Sequence, residues 1–453
     1  MHEFDESTDD LASAIFQYSL DRVRTDPPLD GPRSHQELWE AVGQTITEEG
    51  LGGESVLAAF AEHLAPACLS SDHPRFLSFV PGAPTNASVL FDLVVGASAM
   101  CAASWLEAAG TVYAENQALR WVADLVGLPQ GAGGCFASGG TMGNLSALIA
   151  GRDQAIRRRE ADGSGRPARW SVVASDGAHS SIDAAAKVMD VDVLLATTGD
   201  DRRLRGDAVR AAIAARPDGT EVFAVVATAG TTNLGVVDAL DEVAEAAAEH
   251  ETWFHVDAAY GGAALAAESA RPHFAGIDQC DSVVIDPHKW LFAPFDCCAL
   301  LYRQPEVARL AHAQHASYLD PINSGSDWNP TDYGHFLTRR ARGLPFWFSL
   351  AVHGIKAYSE AVERTLDVTR SGAELVAATP HLDLVMDPVL SVLAFRRIGW
   401  EQTDYDAWSA RLLEQGIAFV LPTQVDGDPA LRICIVNPRT TVDDIAVVLD
   451  SLA

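Results

Sequence analysis

The residue with the clearest chemical potential in this chain is a lysine at the end of an apolar run. In "SVVIDPHKWLFAPFDCC", Ser282 to Cys298, a β-branched stretch ends in Asp-Pro-His-Lys-Trp and places Lys289 directly after His288. The chain has three lysines in 453 residues, Lys187, Lys289 and Lys356. An ammonium in an apolar setting is costly unless it is paired or used. Used, it is a nucleophile toward a carbonyl carbon. The other two lysines sit in the helix-like stretches "SSIDAAAKVMD" and "HGIKAYSEAV", so Lys289 is the nucleophile candidate.

Four further features have chemical potential. "DGAHSS" places His179 and "TAGTT" places Thr231 and Thr232; "HVDAAYGG" places Asp257 and Ala259. "ASGGTMGNLSALIAGR" sets Gly140 and Thr141 ahead of a helix-like run, where free backbone N–H groups can hold an anion, most often phosphate. That loop has neither the GxxxxGK[ST] nor the GxGxxG spacing. Each piece has a plainer reading. Asp257 alone reads as well as a helix cap or an ion-pair partner, His179 as a structural histidine, the glycine loop as a strand-to-helix turn, and the threonines as turn residues. Together they supply an amine, a carboxylate, an imidazole and a phosphate cradle. Pyridoxal phosphate needs all four. The lysine forms an imine with its aldehyde, and the carboxylate holds a proton on its ring nitrogen. At about 4 Å and an effective dielectric near 20 that pairing is worth about 4 kcal/mol, roughly three pK units before desolvation.

The elements that must position these groups read as a mostly parallel α/β sheet. Apolar strand candidates begin at Trp170, Val191, Glu221, Thr252, Ser282 and Cys298, with helix-like stretches such as "DALDEVAEAAAEH" between several of them. Continuous apolar strands separated by helices indicate a sheet covered on both faces, with ligands beyond the carboxyl ends of its strands. Residues 1–76 read as a helical N-terminal segment, 77–345 as the large cofactor-binding domain and 346–453 as a smaller α+β domain opened by a long helix. The stretch from His312 to Arg340, rich in Asn, Asp, Pro and Gly, reads as a lid or binding loop.

Composition narrows the function classes. Hydrophobic residues make up 48% and the formal net charge is −30, which disfavours nucleic acid and anionic membrane as partners. Seven cysteines without CxxC or zinc-like spacing predict reduced thiols in a cytoplasmic protein and no metal site. The acidic start "MHEFDESTDD" has no signal-peptide pattern. The run Val89 to Leu106 contains Asp92 and predicts a buried core helix rather than a membrane span.

"DPHKWLFAPFDCCALLYR", "WFHVDAAYGG", "SDGAHSS" and "ASGGTMGN" together resemble the group II pyridoxal-phosphate-dependent amino-acid decarboxylases. The resemblance runs from "HPRFLSFVPGAP" at His73 to "LRICIVNPRTT" at Leu431. It implies fold type I, a seven-stranded mostly parallel sheet, and a homodimer with shared active sites. It also implies Lys289 as the Schiff-base lysine, Asp257 as partner of the ring nitrogen and His179 stacked on the ring. Gly140 and Thr141 would hold the phosphate with His288 nearby, Thr232 would line the pocket, and Ala259 would pack on the ring. In "PTDYGHFLTRR", Tyr333 matches the tyrosine of the family's mobile loop, which returns a proton to the substrate carbon after carbon dioxide leaves. Trp290 and Leu291 look like the aromatic branch, whose substrate contacts imply Phe79, Pro81, Ala103 and Thr232 here. Ala103 stands where aromatic decarboxylases carry phenylalanine, implying a wider pocket.

The resulting expectation is α-decarboxylation of an L-amino acid, aromatic by resemblance, to an amine. Alternatives are a non-aromatic substrate, oxidative deamination to an aldehyde, a carbon–carbon lyase, a non-catalytic binder of pyridoxal phosphate, and a nucleotide-binding protein.

Overall fold

Each of the six expected strand regions forms a strand, and a seventh strand joins them. The computed structural model describes residues 2, 4–323 and 327–453. The strands are β1 (Gly133–Ala137), β2 (Arg169–Ser175), β3 (Asp192–Ala196), β4 (Thr220–Thr228), β5 (Trp253–Asp257), β6 (Ser282–Ile285) and β7 (Cys298–Tyr302). They lie in the order β1-β7-β6-β5-β4-β2-β3. Pairing is parallel from β3 through β6, while β7 runs antiparallel to both β6 and β1. Strand β1 was not among the strand candidates, because "GGCFA" is short and opens on two glycines, which strands disfavour. Since β7 opposes both neighbours, β1 points the same way as β6. The carboxyl ends of β1, β2, β4, β5 and β6 therefore share one edge of the sheet.

Both faces of the sheet are covered, which explains why its strands carry apolar residues at consecutive positions. Val225, Val256, Val283 and Leu301 enter one core, while Val226, Val284, Leu300 and Trp253 enter the other. This is the period-2 alternation of a strand buried on both sides. The helix Gly140–Ala161 lies close against the second face. A Cβ on Gly143 would meet Val284 Cγ1 at 2.6 Å, so glycine there sets how near the helix approaches.

The long helix expected after Pro345 is Leu344–Ala378, interrupted at Gly354 (φ 75°). It leads to a four-stranded antiparallel sheet of β8 (Leu382–Leu384), β9 (Val392–Arg397), β10 (Pro422–Val425) and β11 (Asp428–Cys434). The segment Arg75–Ser78 pairs with the same unit: Leu77 N donates to Phe419 O at 3.0 Å and Cys434 N to Leu77 O at 2.9 Å. A boundary between 76 and 77 would cut through that pairing.

The N-terminal helices Glu6–Arg24, His35–Val42 and Gly53–Ala59 bury no residue. The run from Val89 differs from its expectation. The helix Asn86–Ala97 buries only Ser88 and Val95, and Leu93 is 54% exposed. Phe91 stacks on Phe348 of the long helix at 4.0 Å and Val95 is buried, while Leu90, Leu93 and Val94 are left exposed. Among the described residues no helix is long and apolar enough to cross a membrane.

Candidate active site

The shared strand edge gathers most of the expected residues around one cavity of about 260 Å³. Its lining includes Gly140, Thr141, His179, Thr232, Asp257, Ala259, His288 and Lys289. Asn144, Ser181, Asp286, Phe295 and Asp296 also line it, none of them singled out from the sequence.

Lys289 stands on the short helix Pro287–Trp290 that follows β6. Its Nζ lies 2.9 Å from Asp286 Oδ2, and its side chain is 24% exposed toward the cavity while Asp286 is 2% exposed. Burial draws the Lys289 pKa down, but the Asp286 charge and hydrogen bond outweigh it and hold it above the ordinary lysine value. Burial likewise pushes Asp286 up, and the charges of Lys289 and His288 outweigh it and hold the carboxyl below the usual range. His288 Nδ1 lies 2.7 Å from Cys297 O, its ring 5.0 Å from that of Phe295, and burial lowers its pKa.

Asp257, the last residue of β5, sits in a directional hydrogen-bond chain. Asn144 Nδ2 donates to Asp257 Oδ2 at 2.8 Å and to Ser181 Oγ at 2.9 Å. With its amide donating twice, Asn144 Oδ1 accepts from His255 Nε2 at 2.8 Å. His255 Nδ1 must then accept from Ser282 Oγ at 2.8 Å, and Ser282 accepts from Trp253 Nε1 at 2.7 Å. Burial lowers the His255 pKa to about 4, in keeping with this neutral tautomer. Ala259 N donates to Asp257 Oδ1 at 3.1 Å, so both carboxylate oxygens are satisfied. From Ser181 the chain reaches His179, whose Nδ1 lies 2.9 Å from Ser181 Oγ and accepts from Ser181 N at 3.2 Å. One amide, Asn144, therefore orients both the carboxylate and the imidazole.

Asn144 and His255 did leave a sequence signal. Asn144 lies one helical turn beyond Gly140, and His255 two residues before Asp257 on the same face of the strand. Thr231 takes its plainer role: Val236 N donates to its Oγ1 at 3.1 Å, a turn contact.

Several expected contacts fall outside the cavity lining. Phe79 is exposed, with φ 54°, and packs toward Phe419. Pro81 is buried, and its segment reaches the site through Gly82, where a Cβ would lie 2.7 Å from His288 O. Ala103 is buried, its carbonyl accepting from Thr331 N at 3.3 Å. Trp290 is a core residue, stacked 5.4 Å from Tyr260 and donating to Thr365 Oγ1 at 2.9 Å. Tyr333 is buried with its ring stacked 4.1 Å from Trp328, and burial raises its pKa. In the same loop Tyr318 is 73% exposed.

The cavity fits pyridoxal phosphate on its own geometry. A Cβ on Gly140 would lie 3.0 Å from the Ala259 side chain and 3.2 Å from Asp286, so the glycine keeps the cradle open at the start of a 22-residue helix. Asp257 and Lys289 supply the anion and amine that the ring nitrogen and aldehyde require.

The comparisons with known proteins agree with this geometry. The pyridoxal-dependent decarboxylase conserved domain matches residues 36–398. An aromatic-L-amino-acid decarboxylase of Bacillus atrophaeus is 28% identical over 425 residues, covering 91% of this chain and 87% of its own. An L-2,4-diaminobutyrate decarboxylase of Rhizobium meliloti (strain 1021) is 31% identical, covering 88% and 82%. Among solved structures, a rice (Oryza sativa) TDC with PLP and tryptamine superposes with a TM-score of 0.92 at 23% identity, covering 100% of this chain and 98% of that one. An amine beside a phosphate cradle and a fully bonded strand-end carboxylate is what that family's cofactor needs, and the chain belongs to it as a pyridoxal-phosphate-dependent amino-acid decarboxylase of fold type I.

Proposed function

We propose that the substrate is an aromatic L-amino acid, that the product is its amine, and that the enzyme works as a homodimer. The observation that carries the aromatic reading is Phe295. It is 57% exposed on the rim of the cavity, beside His288, and offers a flat apolar wall next to the reacting groups. The likeness to the aromatic-L-amino-acid decarboxylase of Bacillus atrophaeus supports it. The bound cofactor supplies the electron sink for the pair released with carbon dioxide. Lys289 presents the amine that anchors it, and Asp257 holds the proton on its ring nitrogen. Gly140 and Thr141 fix its phosphate, and His179, set by Ser181, covers the open ring face.

The returning proton needs an acid, and we assign this role to Tyr333 in the loop that follows His312. Tyr333→Phe should lower amine formation by about 10²-fold or more. Tyr318→Phe, at an exposed position of the same loop, should stay within about threefold of wild type. The reverse pattern would move the role to Tyr318.

The dimer reading rests on uncovered apolar side chains: Leu90, Leu93 and Val94 on one helix, Leu106 and Tyr113 on the next, and Val352 and Ile355 on the long helix. Light scattering should give twice the chain mass. Seven unpaired cysteines suit a reducing cytoplasm.

The deciding assay is a panel of L-tryptophan, L-tyrosine, L-phenylalanine, L-histidine and L-2,4-diaminobutyrate, with amine, aldehyde and peroxide measured together. Amine from an aromatic substrate supports the proposal. A preference for diaminobutyrate overturns the aromatic assignment, and aldehyde with peroxide overturns simple decarboxylation.

A further inference from the structure

Asp286 has an arrangement that the cofactor's known requirements do not explain. It is a buried carboxylate between the phosphate cradle and the nucleophile. Its Oδ2 accepts from Gly140 N at 3.3 Å and pairs with Lys289 Nζ at 2.9 Å. Its Oδ1 is buried with no well-formed hydrogen bond among the described residues, the Cys298 thiol being a weak donor to the carboxyl group. A buried carboxylate oxygen so weakly supplied is normally avoided. The ion pair creates a second difficulty. An ammonium has no lone pair, so Lys289 cannot attack a carbonyl while it keeps all three protons.

We propose that Asp286 restrains cofactor loading by holding Lys289 as its ammonium until a proton leaves the pair. The proton passes from Nζ to hydroxide or a buffer base, leaving a neutral amine. The freed lone pair bonds to the aldehyde carbon, and the carbon–oxygen double bond opens onto oxygen. Both hydrogens remaining on nitrogen then depart with that oxygen as water. No electrons are exchanged with any other group. Asp286 is thus a positioning and proton-holding residue for Lys289, and it also occupies the Gly140 N–H until phosphate arrives.

The charged and titratable groups around this pair are few. Asp286 faces Lys289, the His288 ring at 3.7 Å and the buried Cys298 thiol on β7. Lys289 also senses Asp257 at the end of β5. Burial pushes Cys298 well above the ordinary thiol value, so it stays neutral and Asp286 is the dominant partner. The inference rests on Lys289 being the cofactor-binding lysine.

The test is the loading rate, not turnover. Cofactor-free protein is mixed with pyridoxal phosphate from about pH 6 to about pH 10, and the imine absorbance is followed. The rates are corrected for the aldehyde's own titration. Wild type should load faster as pH rises, with a midpoint at or above about pH 9. Asp286→Asn removes the largest charge acting on Lys289, leaving burial opposed chiefly by the Asp257 charge. Its midpoint should fall by about one pH unit or more, and loading at neutral pH should become several-fold faster. An unchanged midpoint, or slower loading at every pH, overturns the proposal. Far-UV dichroism and a thermal melt establish that the variant is folded. If it is not, a wild-type midpoint below about pH 9 overturns the proposal, and one at or above it supports it. Lys289→Ala should give no borohydride-reducible band. A band there would break the assignment of Lys289 itself, a failure distinct from that of Asp286.

Discussion

Two carboxylates stand at the ends of neighbouring strands and differ in how their oxygens are used. Asp257, ending β5, has both oxygens bonded, one by Asn144 and one by the Ala259 amide. Asp286, just past β6, has one oxygen paired with Lys289 and the other without a well-formed hydrogen bond among the described residues. Both are buried, so exposure does not separate them. The difference is what each carboxylate is bound to. Asp257 is oriented by neutral amide donors. Asp286 is paired with an ammonium and holds the proton on Lys289. The site thus separates a carboxylate for the ring nitrogen from one that sets the protonation of the nucleophile.

Removing the nucleophile should have the largest effect. Lys289→Ala should lower amine formation by more than about 10³-fold, read by product assay at saturating cofactor. Asp257→Ala comes next. Loss of a contact worth about 4 kcal/mol corresponds to about 10³-fold if it is realised fully in the transition state. The comparison predicts that Asp286→Ala loses much less than Asp257→Ala in turnover once loaded. Equal losses would break the division of roles.

Asn144→Ala sharpens the same contrast at lower amplitude. It leaves Asp257 Oδ2 and His255 Nε2 without partners, at about 1–3 kcal/mol of stability. Turnover should fall about tenfold, with a shift in the visible spectrum of the bound cofactor. Because Asn144 acts through Asp257, combining it with Asp257→Ala should add little further loss of turnover. Additive losses would mean that Asn144 serves the site by another route.

The anchors of this site were legible in sequence because each is locally costly. Lys289 ends an apolar run, Asp257 follows four buried strand residues, and the glycine loop opens a helix. The sheet was legible for the same reason, apart from β1, whose pairing with β7 spans more than 160 residues and whose glycines hide it. What stayed hidden depends on distance contacts. Nothing in "GGTMGN" says that its asparagine meets a histidine more than 100 residues away. Tyr333 and Trp290 lie apart from the cavity lining, their rings packed against Trp328 and Tyr260, and local sequence carries no sign of either packing.

The smallest predicted effect separates the two carboxylates without chemistry, through the stability of the cofactor-free protein. Lys289 has a folded pKa above its unfolded value, so its contribution is fully present below about pH 10.4 and is lost as pH rises through the folded value. Asp286 has a folded pKa below its unfolded value, so its contribution is present above about pH 3.9 and is lost as pH falls through the folded value. Between those limits the pair's contribution should be flat in denaturant unfolding. Asp286→Asn should reverse the alkaline limb. With burial outweighing the remaining Asp257 charge, the folded state prefers the neutral amine, and this residue's contribution should grow as pH approaches about 10.4. The difference between wild type and Asp286→Asn should therefore narrow with rising pH. A difference that stays constant from about pH 7 to about pH 10.4 would mean that Lys289 keeps its proton without Asp286, and the charge that holds it would have to lie elsewhere.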